Sequence, residues 1–132
     1  EATPAPTPME AKAPTQPQAR TSHAGFDEVK ALLGDDFAPL AQTYAEDMAL
    51  KVQQLTQLLQ AEQLPEAHAL AHLLKGASLS MGAHELAAVC HDIEVASKAG
   101  DLAEARRALG GLPGAAEMTR DTLRTYWDEV VA

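Results

Sequence analysis

The side chain with the strongest case for chemistry in this sequence is His72, and the case rests on what surrounds it. With Leu74 at the centre of an apolar helix face, a rotation of about 100° per residue brings His72 almost opposite the core. Its neighbours at helical spacing are His68 one turn before, Lys75 and Gly76 one turn after and Leu79 two turns after, with Ala69 alongside. Surface helices ordinarily turn Glu, Lys and Gln to solvent. This face instead offers a histidine, a glycine that gives up helix stability, an exposed leucine and a small alanine.

Such a face suits a second protein pressing its own active site onto His72. Gly76 withholds a side chain where a partner's backbone would approach. Leu79 and Ala69 offer apolar contact, and His68 shares the face with them. Lys75 brings a positive charge within reach of a phosphoryl group on the ring. An exposed imidazole is largely neutral near pH 7, so a ring nitrogen can attack phosphorus in an acyl phosphate without a separate base. The product is a phosphohistidine.

Two other readings compete. His68 and His72 stand at i and i+4, with His84 and His91 a helix away, which is the outline of a metal site. No acidic or thiol ligand joins the pair on its face, zinc takes three or four ligands, and no Glu stands where a zinc protease has its base. The chain is therefore expected to hold no metal and no cofactor. The second rival is a purely structural four-helix interaction module, which labelling of His72 by a phosphorylated partner would distinguish. His23, His84 and His91 read as ordinary surface side chains, and Cys90 as a small buried core residue.

The elements that position this face follow from periodicity. Residues 1–24 hold five of the eight prolines among Ala, Thr and Gln, with Met9 the only large apolar side chain, and read as an extended linker. The domain is expected over 25–132. A short amphipathic helix around Phe26, Val29, Leu32 and Leu33 ends at Gly34. A long helix with Pro39 in its first turn follows to about Gln60, its inner face formed by Phe37, Leu40, Ala41, Tyr44, Met48, Val52, Leu55 and Leu59. Pro65 opens the helix of His72, whose core face is Ala67, Leu70, Ala71, Leu74, Ala77, Ser78 and Met81 and which Gly82 closes. The next helix, 83–99, buries Leu86, Val89, Cys90 and Ile93. Asp101 with Glu104 resembles a capping box for the last helix, whose inner face runs through Leu102, Ala105 and Leu109 to Leu123, Tyr126 and Trp127. Gly110, Gly111, Pro113 and Gly114 should break or bend that helix. The fold class is all-α: an antiparallel four-helix bundle with an additional short N-terminal helix.

Composition narrows the function classes. The formal charge is −9, and 1–24 contributes nothing to it because Glu1 and Glu10 balance Lys12 and Arg20. An acidic domain without a basic patch repels phosphate backbones, so no nucleic acid is expected as a partner. No run approaches the ~18 apolar residues of a membrane-spanning helix, and no signal sequence opens the chain, so no direct membrane contact is expected of this domain. A single cysteine fits a reducing compartment. The missing initiator Met points to a piece of a longer or processed polypeptide.

The run Ala71-His72-Leu73-Leu74-Lys75-Gly76-Ala77-Ser78, then Leu79-Ser80-Met81-Gly82-Ala83, Leu86, Cys90, Ile93-Glu94 and Gly100-Asp101-Leu102, resembles the signature of the histidine-containing phosphotransfer (HPt) domain family. The match covers roughly 65–102 by motif and 25–132 by architecture. It is specific because residue types and spacing agree across two helices. The resemblance implies that His72 is the phosphoacceptor, Lys75 an electrostatic support and Gly76 a steric allowance. It also implies that Glu94, where the family often has Gln or Glu, orients the His72 ring through a hydrogen bond. By the same resemblance the partners are a receiver domain of the same or a partner kinase and a downstream response regulator, with Mg2+ and the reacting aspartate supplied by the receiver. It implies no autonomous kinase or hydrolase activity. A place as the C-terminal module of a bacterial hybrid sensor kinase, cytoplasmic and tethered to the inner membrane, would suit the Pro-rich leader. Two features depart from the family pattern: His68 on the active face, and the severity of the glycine-rich break. Elemental analysis of the purified chain is expected to find no stoichiometric zinc, and one equivalent would favour the metal reading.

Overall fold

The computed structural model describes residues 23–131, with side chains over 24–126. Six α-helices and no strand are found among them: α1 His23–Leu33, α2 Phe37–Gln60, α3 Leu64–Met81, α4 His84–Lys98, α5 Leu102–Leu109 and α6 Leu112–Val131. A 3-10 turn, Gly34–Asp36, joins α1 to α2. Helices α2, α3 and α4 form three walls of an antiparallel bundle, and α5 with α6 forms the fourth. The expected leader lies outside the described residues except for His23 and Ala24, which open α1.

Each corner is set by local chemistry. Gly82 ends α3 in the left-handed region at φ 93, and Ala83 N–H returns to Ser78 O at 2.8 Å, which closes the last turn of the helix. At the end of α4, Asp101 N–H closes onto Ala96 O at 2.9 Å, and the Asp101 side chain then accepts from Glu104 N–H at 3.0 Å to begin α5. The glycine-rich break falls at Gly110 and Gly111. Pro113 and Gly114 lie inside the first turn of α6, where a missing amide proton removes no helical bond. Arg106 of α5 donates from Nε and Nη2 to the Leu59 carbonyl, so the fourth wall supplies donors to one of the last carbonyls of α2.

The core follows the expected stripes with two exceptions. Phe37, Ala41, Tyr44, Met48, Leu55 and Leu59 of α2 are buried, as are Ala67, Ala71, Leu74, Ser78 and Met81 of α3 and Leu86, Cys90 and Ile93 of α4. Leu32 and Leu40, expected inside, are 85% and 48% exposed. The helical wheel accounts for both. Leu32 stands about 120° from Phe26, whereas Leu33 is nearly in line with it, and Leu40 stands about 60° off the Phe37 and Tyr44 line in the first turn of α2. The side chain of Trp127, expected inside, lies outside the described residues.

Two contacts fix the rotation of α3, and with it the direction in which His72 points. The Tyr44 and Ser78 hydroxyls share a buried hydrogen bond of 2.7 Å between α2 and α3, and burial pushes the Tyr44 phenol well above its usual range. The turn after α3 is held from the other side by α1. The Gly25 and Gly82 backbones meet so closely that a Cβ built on Gly82 would stand 2.4 Å from the Gly25 carbonyl oxygen. Phe26 is buried beside them, edge-on to Tyr126, whose hydroxyl donates to Asp27 at 2.7 Å. No described helix is long and apolar enough to cross a membrane. Gly82→Ala meets both the left-handed strain and the Gly25 clash, and is expected to cost about 2–4 kcal/mol in urea unfolding.

Candidate functional site

Helix α3 carries His72 on the side away from Leu74, and the ring is exposed, with 64% of its side-chain surface open. Beneath its rim runs α4, whose buried Cys90, Ile93 and Ser97 face the core and leave Glu94 on the flank toward α3. Glu94 Oε2 stands 2.8 Å from His72 Nδ1, the hydrogen bond anticipated between these residues. Because an ionised carboxylate only accepts, the ring nitrogen facing it carries the proton. That leaves Nε2 with its lone pair.

The same carboxylate gathers two more groups from α3. Lys75 Nζ is 2.7 Å from Oε1, and His68 Nε2 is 3.8 Å from Oε2. Lys75, placed beside Glu94, holds its carboxyl below the usual carboxylate range, against the upward push of partial burial, and His72 adds to the lowering. A carboxyl depressed in the folded state contributes stability above its ordinary titration range and loses that contribution as pH falls through its lowered value. The Glu94 carboxyl is therefore ionised at neutral pH.

The remaining expected site residues fall on one surface. Gly76 is exposed, with no heavy atom within 4 Å of a Cβ built on it, so the absent side chain serves no packing need inside the chain. Ala69 is exposed and Leu79 is 50% exposed. His68 is only partly exposed and turns toward Glu94, so it belongs to the carboxylate cluster as much as to the outer surface. Leu73, overlooked in the sequence, is 60% exposed beside His72. The helical wheel already set it about 100° from Leu74, off the core line. Lys75, expected within reach of a phosphoryl group on the ring, is partly exposed and paired with Glu94 in this structure.

An acidic side chain, Glu94, does join His68 and His72, where none was expected, and among the described residues no group of three or more His, Cys, Asp or Glu is arranged to hold a metal ion. His84 and His91 are exposed on α4. Cys90 is fully buried, and burial with the Glu94 charge nearby pushes its thiol up to about 12, which keeps it neutral and unreactive.

Residues 39–131, well over half of the chain, match the Hpt domain family. No curated protein sequence matches the chain. Among solved structures, histidine-containing phosphotransfer protein B (HptB) from Pseudomonas aeruginosa is similar at a TM-score of 0.77 and 22% identity, over 83% of this chain and 96% of that one. The histidine-containing phosphotransfer protein ZmHP2 from maize is similar at a TM-score of 0.70 and 20% identity, over 80% of this chain and 81% of that one. At such identities the likeness carries the fold, and the family match carries the classification. By that family match the chain belongs to the Hpt domain family, whose members serve as phosphorelay intermediates in two-component signalling.

Proposed function

We propose that His72 accepts a phosphoryl group from the aspartyl phosphate of a receiver domain and passes it to the aspartate of a response regulator. The observation that carries this reading is an exposed imidazole whose Nδ1 is tied to Glu94 at 2.8 Å, leaving Nε2 free to react. In the forward step the Nε2 lone pair forms a bond to phosphorus, the bond from phosphorus to the carboxylate oxygen breaks, and the aspartate leaves with the electron pair. Glu94, accepting from Nδ1–H, holds the ring in line for the attack as the bond forms. The Nδ1 proton stays in place throughout, so the reverse step onto a second aspartate needs no further proton transfer.

The chain's contribution is a positioned nucleophile on a rigid helix, with Lys75 as electrostatic support. Mg2+ and the acidic pocket that binds it belong to the receiver, and this domain needs no cofactor of its own. Docking uses the surface around the ring: Gly76 admits the partner's backbone, and Ala69, Leu73, Leu79 and the edge of His68 supply contact. Residues 1–24, rich in Pro and Ala, suit a tether that holds 25–132 near a receiver of the same cytoplasmic, inner-membrane sensor kinase and raises the local concentration of one for the other.

Incubation with a phosphorylated receiver domain is expected to label the wild-type chain with acid-labile, alkali-stable phosphate. His72→Gln should take no label while its circular dichroism matches wild type, and labelling of that variant at the normal rate would end the assignment. Gly76 gives a second test, because folding and docking pull it in opposite directions. Gly76→Ala is expected to raise stability by about 0.5–1 kcal/mol in urea unfolding, since it restores helix propensity in open space. Gly76→Leu should slow transfer from the receiver by roughly tenfold or more through hindered docking.

A further inference from the structure

In the unphosphorylated chain the ion-pair partner of Lys75 is Glu94. Lys75 stands three residues after His72, so its ammonium can also reach a phosphoryl group on the ring. One cation thus faces two anions across the two states of the domain. The geometry points to Glu94 as a positioning residue that competes with the phosphoryl group of phosphorylated His72 for Lys75, raising the free energy of the phosphohistidine so that the group stays transferable. This inference rests on the reading of His72 as the acceptor.

Three features of the cluster support it. Glu94 keeps only 14% of its side chain exposed, so solvent makes good only part of the loss of its cation. Lys75 meets Oε1 at 2.7 Å as an ion pair, and its ammonium sits on a flexible four-carbon stem that can carry it to the ring. Oε2 is already committed to His72 Nδ1, and the other group close to it is His68 Nε2 at 3.8 Å. The titratable groups facing Glu94 are therefore Lys75, His72 and His68 from α3, with the neutral Cys90 thiol on its own helix.

In the unphosphorylated state the cluster is balanced, with Lys75 on Oε1 and the ring on Oε2. Phosphorylation at Nε2 adds an anion that needs the same ammonium. If Lys75 stays, the phosphoryl group lacks its counter-charge. If Lys75 moves, Glu94 keeps only the ring proton and the more distant His68. Either arrangement lifts the phosphorylated state relative to a domain with a neutral amide at position 94. For a relay intermediate this is the useful direction, because a phosphohistidine that is too stable accepts readily and donates poorly.

The test is the equilibrium constant for phosphoryl exchange between a receiver domain and the full chain, read as the label on each partner at equilibrium. Glu94→Gln keeps an oxygen that accepts from Nδ1–H but removes the competing charge, and should shift the constant toward phosphohistidine by about tenfold. In a Lys75→Met background the same substitution should change the constant by less than about twofold, because there is no ammonium left to compete for. An unchanged constant for Glu94→Gln would overturn the inference. So would a full-sized shift that persists without Lys75, since Glu94 would then act by direct repulsion. A measurement on the wild-type chain avoids any variant that folds poorly: the 15N resonance of Lys75 Nζ should move when the chain is phosphorylated, and a resonance that stays in place would also count against it. Failure of the wild-type chain to take label at all would refute the acceptor reading instead, which keeps the two claims separable.

Discussion

A carboxylate set into the seam between two helices must find donors there, because the water that would otherwise solvate it is mostly gone. Glu94 is in this position, and it draws Lys75 to one oxygen and the His72 ring to the other. The functional properties of the site descend from that requirement. The hydrogen bond to Nδ1 selects the ring tautomer and directs the open nitrogen away from the bundle. The ion pair to Lys75 keeps Glu94 ionised at neutral pH, and an ionised Glu94 in turn makes the hydrogen bond to the ring a charge-assisted one. Orientation of the nucleophile and placement of the nearby cation are thus two faces of one interaction.

The interaction holds only if α3 and α4 meet in a particular register, and the scaffold enforces this with rigid parts. The α3–α4 pair is joined by a two-residue turn whose glycine is in the left-handed region. Below the active face, Ala67, Ala71 and Leu74 pack inward, and the Tyr44 and Ser78 hydroxyl pair makes any other rotation of α3 leave a buried polar group unpaired. Helix α1 closes over the same turn through Gly25 and Phe26. This tightly held turn lies at the C-terminal end of the helix that bears the reacting residue.

Against this rigidity the active face is open and plain. Gly76 sits in free space, and Leu73 and Leu79 are exposed on a helix that has no internal need for them there. A face that forgoes helix propensity and leaves apolar surface in water gains from neither on its own, and both become favourable when a partner covers them. The glycine-rich break in the fourth wall has no such role. It falls between α5 and α6, on the wall opposite the exposed side of α3, and is absorbed by starting a new helix at Leu112, so the departure from the usual family pattern leaves the site untouched.

Much of this was legible in the chain alone because it is local. Helix ends at Gly34, Gly82 and Gly100, the Asp101 cap, the break at Gly110 and the outward direction of His72 all follow from backbone preferences and a 3.6-residue period. Exposure at the edges of the stripes was less legible. Leu32 and Leu40 fit an apolar period yet lie off the line that the bundle covers, and only the packed neighbours decide how wide that line is. The partnership of Lys75 with Glu94, and of His68 with the same carboxylate, belongs wholly to the tertiary structure. Those residues sit on two helices whose relative rotation and stagger emerge from many core contacts summed together. A one-dimensional pattern states which face of each helix is apolar, but not which charged side chains on the two flanks come to lie opposite one another.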